Sequence, residues 1–263
     1  MLESARIDPE DVAVWIFDLD NTLYPAHCDL GAQLGRRMGE FVARHLDLPL
    51  DQARVVQKRY FHTHGTTLRG MMVEHDLHPD EYLDYVHDLD LTGIPIDDRL
   101  GPALEALPGR KVIYTNATNK HAHRVLGRLG IKHHFEGFFD IVDADFLPKP
   151  NQQPYEVLLN RHGIDPLRAV MVEDIAQNLV PASTLGMASG SAKTITSSPS
   201  GWQRFGSGAG VISSYQKSRP NTCITSPMTC RTGCWICAVD RRLNRGSLPP
   251  LLQRERQHEY LEP

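Results

Sequence analysis

The feature that most constrains this chain is a repeated alternation. Short apolar runs with strand character are separated by stretches with helical periodicity. The first run, Val12-Ala13-Val14-Trp15-Ile16-Phe17, ends in Asp18. A helical stretch at 99–107 and the Pro108-Gly109 turn lead to a strand over 111–114. A helix over 119–129, closed by Gly130, leads to a strand over 139–142. A helix over 154–161 leads past Gly163 to a strand over 170–172, and a last helix over 178–185 ends at Gly186. Strands that alternate with helices and read as continuous apolar runs predict an α/β fold: a doubly wound parallel sheet covered on both faces.

One stretch breaks the alternation. Leu30, Leu34, Met38, Phe41, Val42 and Leu46 form a helical stripe that Leu48-Pro49 stops. Asp51 is a candidate N-cap for a following helix, and 66–90 is helical with an interruption at 76–79. This all-helical block lies in the crossover after the first strand, so it is expected to project as a lid from the carboxyl ends of the strands. Ligands of open parallel sheets bind at those ends. The expected organisation is a discontinuous core, 11–27 and 93–187, a helical cap, 28–92, and an atypical tail, 188–263.

The strand ends carry the chemistry. After the first strand stand Asp18-Leu19-Asp20-Asn21-Thr22, and after the second Thr115-Asn116. Past a loop after the third comes Lys149-Pro150, and after the fourth Glu173-Asp174. Carboxylates that converge in one crevice repel one another unless a cation joins them. Oxygen ligands of this kind suit Mg²⁺. A lysine and a hydroxyl beside the ion suit an anion with several oxygens. A carboxylate held there can attack a phosphoryl group, and a second one can protonate the leaving oxygen.

Phe17-Asp18-Leu19-Asp20-Asn21-Thr22-Leu23-Tyr24, followed in order by Thr115, Lys149 and Glu173-Asp174, resembles the haloacid dehalogenase-like (HAD) hydrolase superfamily over about residues 11–187. The segments Leu23-Tyr24-Pro25, Tyr60 to Gly70 and Glu173-Asp174 with Asn178-Leu179 resemble its pyrimidine 5′-nucleotidase branch. The resemblance implies that Asp18 is the nucleophile. It implies that Asp20 is the general acid/base, with its backbone carbonyl on Mg²⁺. Asp18 and Asp174 would be side-chain metal ligands, and Glu173 would act directly or through water. Thr115 and the Asn116 backbone N–H would bind phosphoryl oxygens, and Lys149 would hold nucleophile and phosphate together. An aspartate at position 20 favours phosphate esters over carbon–halogen bonds, whose cleavage needs no protonated leaving oxygen.

The resulting expectation is a Mg²⁺-dependent phosphomonoesterase that works through an aspartyl-phosphate and takes a nucleoside monophosphate. The alternatives are a phosphatase for phosphoglycolate or a sugar phosphate, and an inert product or phosphate-ligand binder. The net charge of −4 gives no reason to expect a nucleic-acid or membrane partner. No apolar run approaches a membrane span and the first residues lack a leader pattern, so a cytoplasmic setting is expected. Among the histidines, 121/123 and 133/134 have metal-like spacing but no accompanying acid or cysteine cluster.

The tail stands apart. Residues 188–263 hold ten Lys and Arg against four Asp and Glu, while 1–187 hold 18 against 28. Four of the five cysteines (Cys223, Cys230, Cys234, Cys237) fall in this tail, at spacings that match no common zinc site. Ala188-Ser189-Gly190-Ser191-Ala192 is a poor strand where a fifth is due. A shifted codon frame after Met187 allows a valine–tryptophan–valine–arginine strand instead. The expectation is a frameshift there, with a Ser/Gly/Pro-rich, disordered start and loss of the edge strand and its covering helix.

Overall fold

The computed structural model describes residues 9–191. The four tail cysteines and the frameshift expectation from 192 onward lie outside the described residues. Among the described residues, five strands form one parallel sheet in the order β3-β2-β1-β4-β5. They are β1 (Val14–Phe17), β2 (Arg110–Tyr114), β3 (Gly137–Phe139), β4 (Ala169–Glu173) and β5 (Ala188–Ser191). The chain runs outward from β1 through β2 to β3, then crosses to β4 on the other side of β1. The order of strand addition thus reverses at β1 while all strands stay parallel, and this is the place where open α/β sheets open a crevice.

Every residue of β1 is buried, because β1 is the central strand and both of its faces are covered. Side chains alternate across the sheet. Trp15 and Phe17 join Ile113, Val125, Val170 and Val172 on one face, while Val14 and Ile16 join Val112, Tyr155, Leu158 and Met171 on the other. Helices α5 (Leu100–Glu105) and α6 (Asn119–Leu129) supply the first face, and α7 (Gln152–His162) and α8 (Leu179–Thr184) the second.

Four helices separate β1 from this alternation: α1 (Leu30–His45), α2 (Leu50–His64), α3 (Thr67–His75) and α4 (Pro79–Val86). They share their own apolar cluster of Phe41, Val42, Tyr60, Leu68, Met71, Tyr82 and Val86. Ile141, just past β3, packs into that cluster. Gly65, with φ 83°, ends α2, and the Thr66 side chain caps α3 by accepting from the Arg69 N–H at 3.0 Å.

Several local expectations need correction. The third strand covers 137–139 rather than 139–142. Gly137, Phe138 and Phe139 take the places beside Val112, Ile113 and Tyr114. Asp140 then turns the chain out of the sheet, because its carboxylate accepts from the N–H groups of Val142, Asp143 and Asn119. Asp51 does not cap α2. The helix already begins at Leu50 after Pro49, and Asp51 lies in its first turn, where a carboxylate suits the positive helix end.

The fifth strand is the larger correction. Ala188–Ser191 pairs in parallel with β4, Val170 beside Ala188 through Glu173 beside Ser191. Parallel pairing is made by backbone groups, and the open edge of β4 offers them whatever side chains the partner carries. The tail expected from 188 therefore contributes the edge strand through residue 191.

Gly70 has a packing role in the inserted helices. A methyl group at Gly70 would overlap the buried ring of Tyr60. Gly70→Ala is expected to destabilise the full chain by about 1–3 kcal/mol, read from the midpoint of urea unfolding.

Candidate active site

Strand register brings the strand-end residues together. Phe17 lies beside Ile113 on one side and Val172 on the other. The next residues, Asp18, Tyr114 and Glu173, therefore emerge side by side. The Asp18 N–H donates to the Val172 carbonyl at 2.9 Å, which carries the ladder one residue beyond β1. The chain then turns sharply. Asn21 takes a left-handed conformation with φ 62°, which asparagine tolerates better than most residues. Leu23 N–H returns to the Leu19 carbonyl at 3.0 Å. This turn aims the Thr22 hydroxyl back at Asp18, to whose Oδ2 it donates at 2.7 Å.

Lys149 occupies the centre. Its ammonium donates to Asp18 Oδ1 at 2.7 Å, Glu173 Oε2 at 2.8 Å and the Tyr114 carbonyl at 3.0 Å. All three donor positions of the ammonium are used, and the side chain is 1% exposed. Asn116 places the lysine, because its side-chain oxygen accepts the Lys149 backbone N–H at 2.8 Å. Burial pulls the ammonium toward neutrality, but Asp18 and Glu173 more than offset this and hold its pKa above the ordinary lysine value. Thr115 is buried beside them, its hydroxyl accepting the Ala117 N–H at 3.0 Å.

The site is short of positive charge. One oxygen each from Asp18, Glu173 and Asp174 lie within 4.8 Å of one another. Burial, followed by the charge of Glu173, pushes the Asp18 carboxyl up to about 8 against the pull of Lys149. One lysine does not fully satisfy this group of acids. The donor set is all carboxylate oxygen, the chemistry that hard divalent cations select, so these residues fit Mg²⁺. Glu173 is already engaged through both oxygens, by Lys149 and by the Ile175 N–H at 3.1 Å.

The Asp20 carboxylate stands outside this trio. Its Oδ1 accepts from the Tyr24 hydroxyl at 2.5 Å and meets His121 Nε2 at 3.0 Å. Burial tends to raise its pKa, but His121 and then Tyr24 outweigh burial and leave it below the ordinary carboxylate value. Sequence reading missed His121 as a partner of Asp20. Its spacing from His123 was metal-like but had no acid or cysteine cluster beside it in the sequence, and His123 packs on Phe138. Tyr24, four residues past Asp20, is a buried donor to it. The Gly65-Thr66-Thr67 break lies against the lysine loop, where a Cβ on Gly65 would stand 3.3 Å from Pro148 Cγ. His64 is paired with Glu74 at 3.0 Å.

The buried triad makes a thermodynamic prediction. Lys149→Met leaves two carboxylates buried without their cation. It is expected to cost about 3–5 kcal/mol in urea unfolding without metal. Adding Glu173→Gln to that variant should recover part of the loss, because the two changes act on one interaction.

The haloacid dehalogenase-like hydrolase family model matches residues 12–184. Phosphate metabolism protein 8 of Saccharomyces cerevisiae is 25% identical over 200 residues, 68% of this chain and 61% of that protein. The chain thus spans about three-fifths of the length of this curated relative. Among solved structures, a HAD phosphatase from Thermococcus onnurineus aligns with a TM-score of 0.48 at 21% identity, covering 68% of this chain and 84% of its own. L-2-haloacid dehalogenase from Xanthobacter autotrophicus aligns with a TM-score of 0.44 at 14% identity, covering 73% and 87%. With the family model spanning β1 through α8 and all of the clustered acids, the chain belongs to the haloacid dehalogenase-like hydrolase family.

Proposed function

We propose that this protein is a Mg²⁺-dependent phosphomonoesterase that works through an aspartyl-phosphate on Asp18. The observation that carries the reading is the division of labour between two aspartates two residues apart. Asp18 is buried against Lys149, Thr22 and the acids of β4. Asp20 is held separately by Tyr24 and His121, with its side chain 36% exposed. The aspartate at position 20 also favours ester cleavage over dehalogenation. The curated relative, whose name refers to phosphate metabolism, agrees with this class.

Asp18, Asp174 and the Asp20 backbone carbonyl would hold the ion, with Glu173 anchoring Lys149 and acting from behind. Bound there, Mg²⁺ would supply positive charge to the phosphoryl oxygens. The chain's own residues do the rest. Thr115 and the Asn116 backbone N–H bind phosphoryl oxygens, and Lys149 favours the ionised nucleophile and adds charge as the transition state forms. An Asp18 oxygen forms a bond to phosphorus while the ester P–O bond breaks. The electron pair goes to the ester oxygen, which takes a proton from Asp20. Water then attacks phosphorus, gives its proton to Asp20 and displaces Asp18 as phosphate is released. Helices α1–α4 would act as the cap that screens these steps from bulk water.

For the substrate we propose a pyrimidine nucleoside 5′-monophosphate, on the resemblance carried by Leu23-Tyr24-Pro25 and the 60–70 segment. The test is phosphate release by the full chain from uridine, cytidine, adenosine and guanosine monophosphates and from phosphoglycolate. Release is expected from the pyrimidine nucleotides, to be lost with chelator and in Asp18→Asn. Undiminished turnover in Asp18→Asn would overturn the covalent mechanism, and preference for phosphoglycolate would reassign the substrate.

Metal binding has its own readout. At a hundred times its Kd, Mg²⁺ should stabilise the protein by about 2.7 kcal/mol, measured as a rise in Tm. Asp174→Asn should shrink that rise. The Asp18 carboxyl, held up to about 8, must lose its proton to bind the ion. The rise should therefore be larger at pH 8 than at pH 6.

A further inference from the structure

We propose that His121 is a positioning residue that decides which oxygen of Asp20 carries the catalytic proton. The inference rests on the phosphomonoesterase reading above, in which Asp20 protonates the leaving oxygen. It starts from an asymmetry: Tyr24 Oη and His121 Nε2 both engage Oδ1 of Asp20, at 2.5 and 3.0 Å. No hydrogen bond to Oδ2 is found among the described residues. An oxygen that accepts two hydrogen bonds has no room for a proton of its own. When Asp20 becomes a carboxylic acid, its O–H is therefore confined to Oδ2. A general acid acts only when its proton lies on the oxygen facing the leaving group.

The imidazole is built to stay where it is. His121 is 2% exposed and lies in the first turn of α6. Its backbone N–H donates to the Thr118 hydroxyl that caps that helix, at 3.2 Å. The ring of His87, just past α4, covers it with ring centroids 5.0 Å apart. His87 is held in turn, with Nδ1 3.0 Å from the Leu83 carbonyl. Arg124, one turn along α6 from His121, donates to the His87 and Leu89 carbonyls at 2.7 and 2.8 Å. The inserted helices and α6 are thus tied together around this ring.

The second ring nitrogen settles the tautomer. His121 Nδ1 is buried and has no hydrogen-bond partner among the described residues. A proton on Nε2 is used on Asp20. A proton on Nδ1 alone would bury an unpaired N–H and turn a lone pair toward a carboxylate oxygen. The imidazole therefore donates from Nε2.

In the balanced step, the Oδ2 proton moves to the ester oxygen as that oxygen takes the P–O electron pair. The proton of the attacking water later restores it. An ester of an aliphatic alcohol needs this proton. An ester of p-nitrophenol does not, because its phenolate leaves without one.

The experiment compares full-length wild type, His121→Ala and His121→Gln on a nucleoside 5′-monophosphate and on p-nitrophenyl phosphate. For His121→Ala, kcat on the nucleotide is expected to fall about 100-fold with KM little changed. The single-turnover release of p-nitrophenolate, which precedes the water step that also uses Asp20, should fall less than about threefold, which shows that the fold and Asp18 are intact. His121→Gln, whose amide can donate to the same oxygen, should recover much of the loss. Equal loss on both substrates, or no loss on either, would overturn the proposal. A wild type inactive on every ester would defeat the phosphomonoesterase reading instead. The proposal then still faces long-range ¹H–¹⁵N spectra of the histidine rings. A His121 ring protonated at Nε2 and perturbed by Asp20→Ala is expected, and a ring protonated only at Nδ1 would overturn it.

Discussion

The structure of this site depends on a buried ammonium that joins two carboxylates from different strands. Lys149 arrives on a loop after β3 and binds Asp18 after β1 and Glu173 at the end of β4. Leaving any one of these charges buried alone is costly, so the three must arrive together. Asn116 secures the lysine backbone from the end of β2. Four separate strand ends are thus tied to one point, and the geometry of the site becomes a property of the sheet.

The sheet can do this because β1 is central. With β2 and β4 as its two neighbours, residue 18 has a strand end on each side. The crossovers lie on the helical faces and leave the crevice open at the carboxyl ends. The first crossover is enlarged by α1–α4, which reach back to the site at two places. Gly65 lies against Pro148 beside the lysine, and His87 lies against His121 beside Asp20. Each of the two aspartates therefore has a part of the insert close to the residue that holds it.

The alternation of apolar runs and helical stripes made the succession of core elements along the chain legible in the sequence. Solvent is excluded from such a sheet on both faces, so composition alone marks its strands. The strand-end acids were equally plain, since nothing in an apolar strand explains two carboxylates at its end. Edges were harder to read. β3 slid back by two residues because a side chain, Asp140, ends the strand through its own hydrogen bonds. β5 formed from alanine, serine and glycine because pairing there is made by the backbone. Propensity describes side chains, and neither event was controlled by propensity.

The sequence by itself determined which residues could do chemistry: Asp18, Asp20, Thr115, Lys149, Glu173 and Asp174 follow from position and chemical type along the chain. Only the tertiary structure decided how they are held. Tyr24 reaches Asp20 across four residues and His121 across 101, and only folding turns both separations into hydrogen bonds to one oxygen. Periodicity records which face of an element avoids water. It carries no record of which polar groups from distant elements share a burial site, because that depends on strand order and register.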